Sequence, residues 1–248
     1  MSRLSGTYTD VLPAVVPLGF GHPEPAESLI KTSGNALLFA RGGHAWLLTC
    51  RHLVAPIEDD YPIKAVWRPG DTNYFLVLDH QKRRPIPDGS GLVLFHFSSA
   101  GAFSERFGPL PGLDRPGAES MKEGAPMSLV GFEAEDMRPE RIYSLHPLPE
   151  TRLEASFLDA RMDIQPEDYP GVLRQQQLAE LKTGQQPEMS GSLISFVTGD
   201  EYQPAGMVTG TGSLKLRRTQ GGPVEEVPIC TYTPLPRVAK LIDALLNP

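Results

Sequence analysis

Residues 47–54 read LLTCRHLV, an apolar run that ends in a small polar residue and is followed within three positions by His52. Upstream, residues 34–40 read GNALLFA, and the glycines at 42–43 provide the turn chemistry of a β-hairpin. We therefore predict paired strands over 34–40 and 45–49. The second strand would hold the imidazole of His52 rigidly at the rim of a sheet, which is the placement that a general base requires.

A second motif supplies a candidate nucleophile. Residues 187–194 read PEMSGSLI, so Ser190 lies in a tight turn beside Gly191 and directly before an apolar strand. A nucleophilic hydroxyl needs exposure and small neighbours. Backbone N–H groups in such a turn can also point at a developing oxyanion. An ordinary Ser-Gly turn is the alternative, and it is the pairing with His52 that favours chemistry.

Composition favours an all-β chain of many short strands, because 24 Gly and 25 Pro occur among 248 residues. Residues 1–32 are rich in proline and are predicted to be an irregular lead-in. Residues 98–126 are predicted to be a long connection, and a short helix is expected within 171–181. Apolar spacing predicts an amphipathic helix over 237–246. Further strands are expected at 63–67, 74–78, 91–97, 127–132, 152–158, 193–197, 204–208 and 227–233.

Charge and cysteine content narrow the class of function. The net charge is −7 without a basic patch, which argues against nucleic acid as a partner. No apolar run approaches the length of a membrane span, and the N-terminus lacks the apolar core of a signal peptide. Two cysteines, Cys50 and Cys230, favour a cytoplasmic location, although a disulfide between them stays open. No second pair with metal-ligand spacing accompanies Cys50 and His52, and His44 in the hairpin turn is expected to be solvated.

Taken in order, these segments resemble the trypsin-like serine protease superfamily, particularly its bacterial members without disulfides. Residues 48–54 are similar to its Thr-x-x-His segment, and residues 189–192 to its nucleophile turn. Residues 124–132 resemble the strand that opens its second barrel, and residues 204–210 the strand that lines its substrate pocket. The resemblance covers about residues 33–246. It implies a single peptidase domain of two six-stranded antiparallel β-barrels, at 33–97 and 127–233, closed by a C-terminal helix within 234–248.

The resemblance also implies an activity and a set of site residues. The activity is a serine endopeptidase that cleaves a protein or peptide through an acyl-enzyme, without a metal or organic cofactor. His52 would be the base and Ser190 the nucleophile, with the backbone N–H groups of Ser190 and Glu188 as the oxyanion hole. Substrate would contact Thr209, Gly210 and Thr211, and Gly184 would lie near the base of an uncharged pocket that accepts small or medium side chains.

Two departures from the family pattern leave alternatives open. The family's acid normally precedes the strand at 92–97, where this chain has Gly91. Asp88, in an Asp-Gly turn, is the first candidate for the acid and Asp79 the second. Glu188 stands where the family usually has a glycine that donates to the oxyanion. The chain could therefore be a weak or inactive homologue that binds proteins or peptides, or an enzyme that stays latent until an activating partner remodels residues 184–190.

Overall fold

The computed structural model of the chain describes residues 5–21, 31–54, 62–67, 72, 74–78, 83–85, 91–113, 125–134, 145–147, 154–158, 177–181, 190–216 and 222–247. Over these residues the chain is mostly antiparallel β-structure, as its sequence predicts. The described helices are α1 (Tyr8–Val11), α2 (Ala100–Phe107) and α3 (Leu235–Leu246), with 3-10 turns at Leu12–Ala14 and Arg51–Val54. None of these helices has the length and apolar character needed to cross a bilayer.

Seven strands form the first sheet. They are β1 (Val15–Phe20), β2 (Lys31–Arg41), β3 (His44–Cys50), β4 (Ile63–Trp67), β5 (Tyr74–Val77), β6 (Arg83–Pro85) and β7 (Leu92–Ser99), in the spatial order β5-β4-β1-β2-β3-β7-β6. The two edge strands are consecutive along the chain. Seven flat strands at about 4.8 Å spacing would span about 29 Å, whereas the six Cα steps from β5 to β6 reach at most about 22 Å. The sheet therefore has to curl.

The second sheet is a closed barrel of six strands. They are β8 (Pro126–Val130), β11 (Glu154–Leu158), β12 (Gln177–Leu181), β13 (Leu193–Thr198), β14 (Glu201–Leu216) and β15 (Glu225–Pro234), in the order β11-β12-β15-β14-β13-β8. Two short strands, β9 (Phe132–Ala134) and β10 (Leu145–Pro147), pair with each other, and β9 contacts β1 and β2 of the first sheet. Strand alternation sends Met127 and Leu129 into the barrel core, while Val130 packs with the first sheet.

The two sheets share one pairing scheme. In each, the first strand pairs with the second and the fourth, the third pairs with the sixth, and the fifth lies between the fourth and the sixth. In the first sheet β5 and β6 are the two parts of an interrupted fifth strand. The segment with His52 follows the third strand of the first sheet, and Ser190 precedes the fourth strand of the second. Both therefore lie where a rigid strand meets a turn.

The C-terminal helix is tied to the first sheet, close to where its sequence predicts it. The Arg41 guanidinium donates to both carboxylate oxygens of Asp243, at 2.9 and 2.6 Å, and also to the carbonyl of Leu113. Val238 and Ile242 of α3 join the apolar cluster of the first sheet. Helix α3 thus closes the molecule against the β2–β3 hairpin.

Two local predictions are wrong, and a third is incomplete. The lead-in is not irregular throughout, since β1 is a fully buried strand inside the first sheet. Part of 171–181 is the strand β12 rather than a helix, because the barrel pairs it with β11 and β15 and tertiary pairing overrides the helix propensity of its residues. The connection at 98–126 contains α2, whose N-terminus is capped by the Ser99 side chain.

The prediction that His44 is solvated is wrong. It is half-buried, and its Nδ1 lies 3.0 Å from Nε2 of His96 on the neighbouring strand. The Trp46 ring packs against both imidazoles, with centroid separations of 6.1 Å to His44 and 4.8 Å to His96. The first residue of β3 is therefore part of a packed aromatic cluster at the hairpin end of the strand.

Candidate active site

The end of β3 is held by hydrogen bonds along its last residues. Thr49 Oγ1 donates to the Asn35 carbonyl at 2.9 Å, and Cys50 Sγ donates to the Val208 carbonyl at 3.2 Å. Arg51 N donates to the Gly91 carbonyl at 2.7 Å. The chain then turns through Arg51–Val54, which buries Leu53 and Val54 and leaves His52 exposed. His52 is thus presented at the rim of the sheet on an anchored backbone.

The turn that carries Ser190 is equally constrained. The Ser190 carbonyl accepts from Asn35 N at 3.1 Å, and Gly191 N donates to the Val208 carbonyl at 2.8 Å. Gly191 has φ +84°, and a Cβ there would lie 1.7 Å from the Asn35 carbonyl oxygen. Ser190 is half-buried, whereas Ser192 is fully buried. Of these two serines, Ser190 is the one that retains solvent exposure.

The two segments converge on Val208. Its carbonyl accepts both the Cys50 thiol and the Gly191 N–H, and its own N–H donates to the Ser192 carbonyl at 2.9 Å. A second meeting point is Gly34, since Leu53 Cδ1 and the Ser190 carbonyl oxygen lie 2.8 and 2.9 Å from the position of a Cβ on that glycine. The structure therefore brings the backbone segments of His52 and Ser190 side by side.

The predicted substrate-contacting residues begin directly after Val208. Pairing of β14 with β13 ends at Met207, so over Thr209–Thr211 β14 pairs, within the described residues, with β15 alone. A register shift between Val208 and Gly210 leaves Thr209 as a bulge, and its Oγ1 lies 3.0 Å from that of Thr231. The Thr209–Thr211 segment is therefore a strand edge beside the Ser190 turn.

The position at which the resemblance predicts an acid lies next to the histidine segment and is occupied by Gly91, which has no side chain. Gly91 immediately precedes β7, has φ +69° and accepts a hydrogen bond from Arg51 N through its carbonyl. A Cβ there would meet nothing within 4 Å. The other predicted site residues, namely Asp79, Asp88, Gly184 and Glu188, lie outside the described residues.

Burial determines the state of both cysteines. Desolvation raises the pKa of the Cys50 thiol to about 12, and likewise that of the Cys230 thiol. Neither forms a disulfide. A thiol with so high a pKa is protonated at neutral pH and is a poor nucleophile. Cys50 thus serves this site as a hydrogen-bond donor.

Among the described residues, no group of three or more His, Cys, Asp or Glu side chains could hold a metal ion.

No protein-family model matches the chain, and no curated protein matches it.

A residue without a predicted role, Asn35, lies at the centre of this site. Asn35 is fully buried in β2 and bonds to Ser190, Ser192 and Thr49. In the sequence, Asn35 is a polar residue inside the apolar run 34–40, and a buried amide there requires hydrogen-bond partners. The pattern predicts that such partners exist but does not identify them.

Proposed function

We propose that the chain is a serine endopeptidase of the trypsin-like superfamily, acting on a protein or peptide in the bacterial cytoplasm. The observation that carries the proposal is the convergence of the His52 segment and the Ser190 turn on the Val208 carbonyl. The shared pairing scheme of the two sheets supports it as well. The net charge of −7 and the residues around the site offer nothing suited to nucleic acid.

In the proposed reaction, His52 takes the proton of Ser190 as Oγ bonds to the substrate's carbonyl carbon. The same imidazole then gives that proton to the leaving amine, and water hydrolyses the acyl-enzyme by the reverse sequence of proton transfers. Because the Gly191 N–H is bonded to Val208, the oxyanion would depend on the N–H groups of Ser190 and Glu188. A glutamate side chain in that loop is the feature that favours the alternative of a latent enzyme, in which an activating partner remodels residues 184–190.

Substrate would bind along β14. The strand edge at Thr209–Thr211 offers main-chain N–H and C=O groups to an extended peptide, which is the usual way in which an unpaired edge recognises a chain. Gly184 would leave the pocket uncharged and favour a small or medium side chain before the cut.

The third member of the site is proposed to be Asp88, carried back toward His52 by the glycines at 89 and 91. The replacement Asp88→Asn would then lower turnover by orders of magnitude and leave the fold intact, because the amide favours the wrong imidazole tautomer. If Asp88→Asn is silent, Asp79→Asn separates the two remaining cases. Loss of turnover would assign the acid to Asp79, and unchanged turnover would leave a His52–Ser190 dyad.

A second candidate function is favoured by one observation, the bare Gly91 beside the His52 segment. A chain that has lost its acid could use the same strand edge to bind a peptide or protein without cleaving it. Such a protein would bind peptides equally well with Ser190→Ala.

Peptide hydrolysis by single and double variants tests the main proposal. Ser190→Ala and His52→Ala should each remove most turnover, and the double variant should be little worse than either, because groups that act as one unit are strongly non-additive. His44→Ala, which removes a histidine at the far end of β3, serves as the matched control and should retain activity. Losses that multiply in the double variant would show that the two residues act separately.

A further inference from the structure

Asn35 is a residue of the first sheet whose side chain, within the described part of the chain, bonds to residues that follow the first sheet in the sequence. Its Oδ1 accepts from Phe132 N at 2.9 Å, and its Nδ2 donates to the Phe132 carbonyl at 3.2 Å and to Ser192 Oγ at 3.2 Å. Phe132 begins β9 and Ser192 directly precedes β13. The amide therefore links β2 to the start of two strands of the other half of the molecule.

The chemistry of this link requires an amide. The Phe132 N–H can only donate, which fixes Oδ1 opposite it and leaves the two N–H groups of Nδ2 for two acceptors. Both are used. An aspartate at this position would bring a second oxygen against the Phe132 carbonyl and would bury a charge, since Asn35 has no solvent exposure.

The backbone of the same residue holds the nucleophile turn from its other side. Asn35 N donates to the Ser190 carbonyl at 3.1 Å, and its carbonyl oxygen faces Gly191 and accepts from Thr49 Oγ1. Thr49 lies in β3, three residues before His52. Asn35 is thus bonded to Ser190 and Ser192 on one side and, on the other, to the strand that leads into the His52 turn.

We infer that Asn35 is a positioning residue, whose side chain holds the 190–192 turn in register with the end of β3 and so sets the Ser190 hydroxyl relative to His52. The claim that Asn35 sets Ser190 for catalysis rests on the proposed function. The claim that its side-chain amide orders residues 190–192 does not depend on any activity.

Asn35→Ala tests the ordering without requiring activity. Hydrogen exchange of the peptide that covers residues 190–193 should become at least about tenfold faster, because Phe132 and Ser192 lose buried partners. The control is Val66→Ala, which truncates a buried side chain in β4. Exchange in each variant is measured at the same interval below its own Tm, so that the two are compared at equal thermal stability. Equal exchange of this peptide in the two variants would overturn the inference.

A second variant covers the case in which Asn35→Ala does not fold. Ser192→Ala removes one of the three side-chain bonds and leaves the two bonds to Phe132 in place. It should speed exchange of the same peptide severalfold, by less than Asn35→Ala. Exchange at the wild-type rate in Ser192→Ala would count against the inference.

Inactivation by a fluorophosphonate supplies the catalytic readout. In Asn35→Ala the limiting inactivation rate at saturating probe should fall about tenfold or more, with little change in the half-saturating concentration, and Val66→Ala should match the wild type. If the wild type reacts and Asn35→Ala reacts equally fast, the positioning role is wrong while the proposed function survives. If the folded wild type does not react but the exchange results hold, the proposed function fails and the ordering role of Asn35 stands.

Discussion

The close approach of Gly191 to Asn35 makes Gly191→Ala the most informative single substitution for stability. Gly191 has φ +84°, and the new Cβ would lie 1.7 Å from the Asn35 carbonyl oxygen and 2.5 Å from its carbonyl carbon. Gly199 offers a matched control, because it also has a left-handed φ, +61°, and a Cβ there meets nothing within 4 Å. The two substitutions share the backbone penalty and differ in the available space.

The expected magnitude follows from these distances. A left-handed backbone costs an alanine about 1–2 kcal/mol, and both variants bear that cost. At Gly191 the two backbones must also separate by more than about 1 Å, since packed side-chain carbons do not approach oxygen so closely. That separation breaks the bonds from Asn35 N to the Ser190 carbonyl and from Gly191 N to the Val208 carbonyl, each worth about 1 kcal/mol or more when buried.

Urea unfolding followed by circular dichroism measures the difference. Gly199→Ala should lower the free energy of unfolding by about 1 kcal/mol. Gly191→Ala should lower it by about 4 kcal/mol, at the severe end of single substitutions. Comparable losses in the two variants would refute the close packing of the Ser190 turn on Asn35, and with it the geometry that joins the two halves of the site.

Three further predictions concern charge and burial. Burial raises the pKa of the Cys50 and Cys230 thiols from 9.0 to about 12. The folded state therefore favours the protonated thiols, and their full contribution to the free energy of unfolding is present below pH 9. Between about pH 9 and 12 that contribution falls by up to about 1.4 kcal/mol per pH unit for each thiol. Cys50→Ser should reduce that slope in urea unfolding between pH 9 and 10.5. The hydrogen bonds from Arg41 lower the pKa of Asp243, so Asp243→Asn should cost about 0.5 kcal/mol at pH 7 and less as the pH falls through that lowered value. Ser195→Ala should raise the free energy of unfolding by about 1 kcal/mol, because the buried Ser195 hydroxyl has no hydrogen-bond partner in the described part of the chain; an equal or lower stability would contradict this.

The local sequence pattern was sufficient to predict most of the strands. The apolar runs bounded by glycine and proline correspond to β2, β3, β4, β5, β7, β8, β11, β13, β14 and β15. The local pattern does not predict β1, whose run VVPLGF contains both a proline and a glycine, and it predicts a helix at β12, whose residues QLAEL favour a helix in isolation. In both cases pairing with distant strands decides the structure, and a local pattern does not contain that pairing. The cap residue of α2, Ser99, is a helix-start signal that the sequence does contain.

The candidate site shows the same limit. His52 and Ser190 could be named because each sits in a short motif with a chemical reason. The contacts of Asn35 with Phe132 and Ser192 join residues 97 and 157 positions apart, so no local pattern predicts them. The proposed roles of Glu188, Asp88 and Gly184 stay predictions, since these residues lie outside the described part of the chain.

Covalent labelling of Ser190 by a fluorophosphonate tests the central claim most directly. The folded wild-type chain should gain one adduct, which mass spectrometry of the digested protein locates on the peptide with Ser190, and urea should abolish the reaction. Ser190→Ala should not label, and His52→Ala should label at least about a hundredfold more slowly, as expected when a general base is removed. The absence of an adduct on the folded wild type, or labelling of His52→Ala at the wild-type rate, would contradict a Ser190 nucleophile activated by His52.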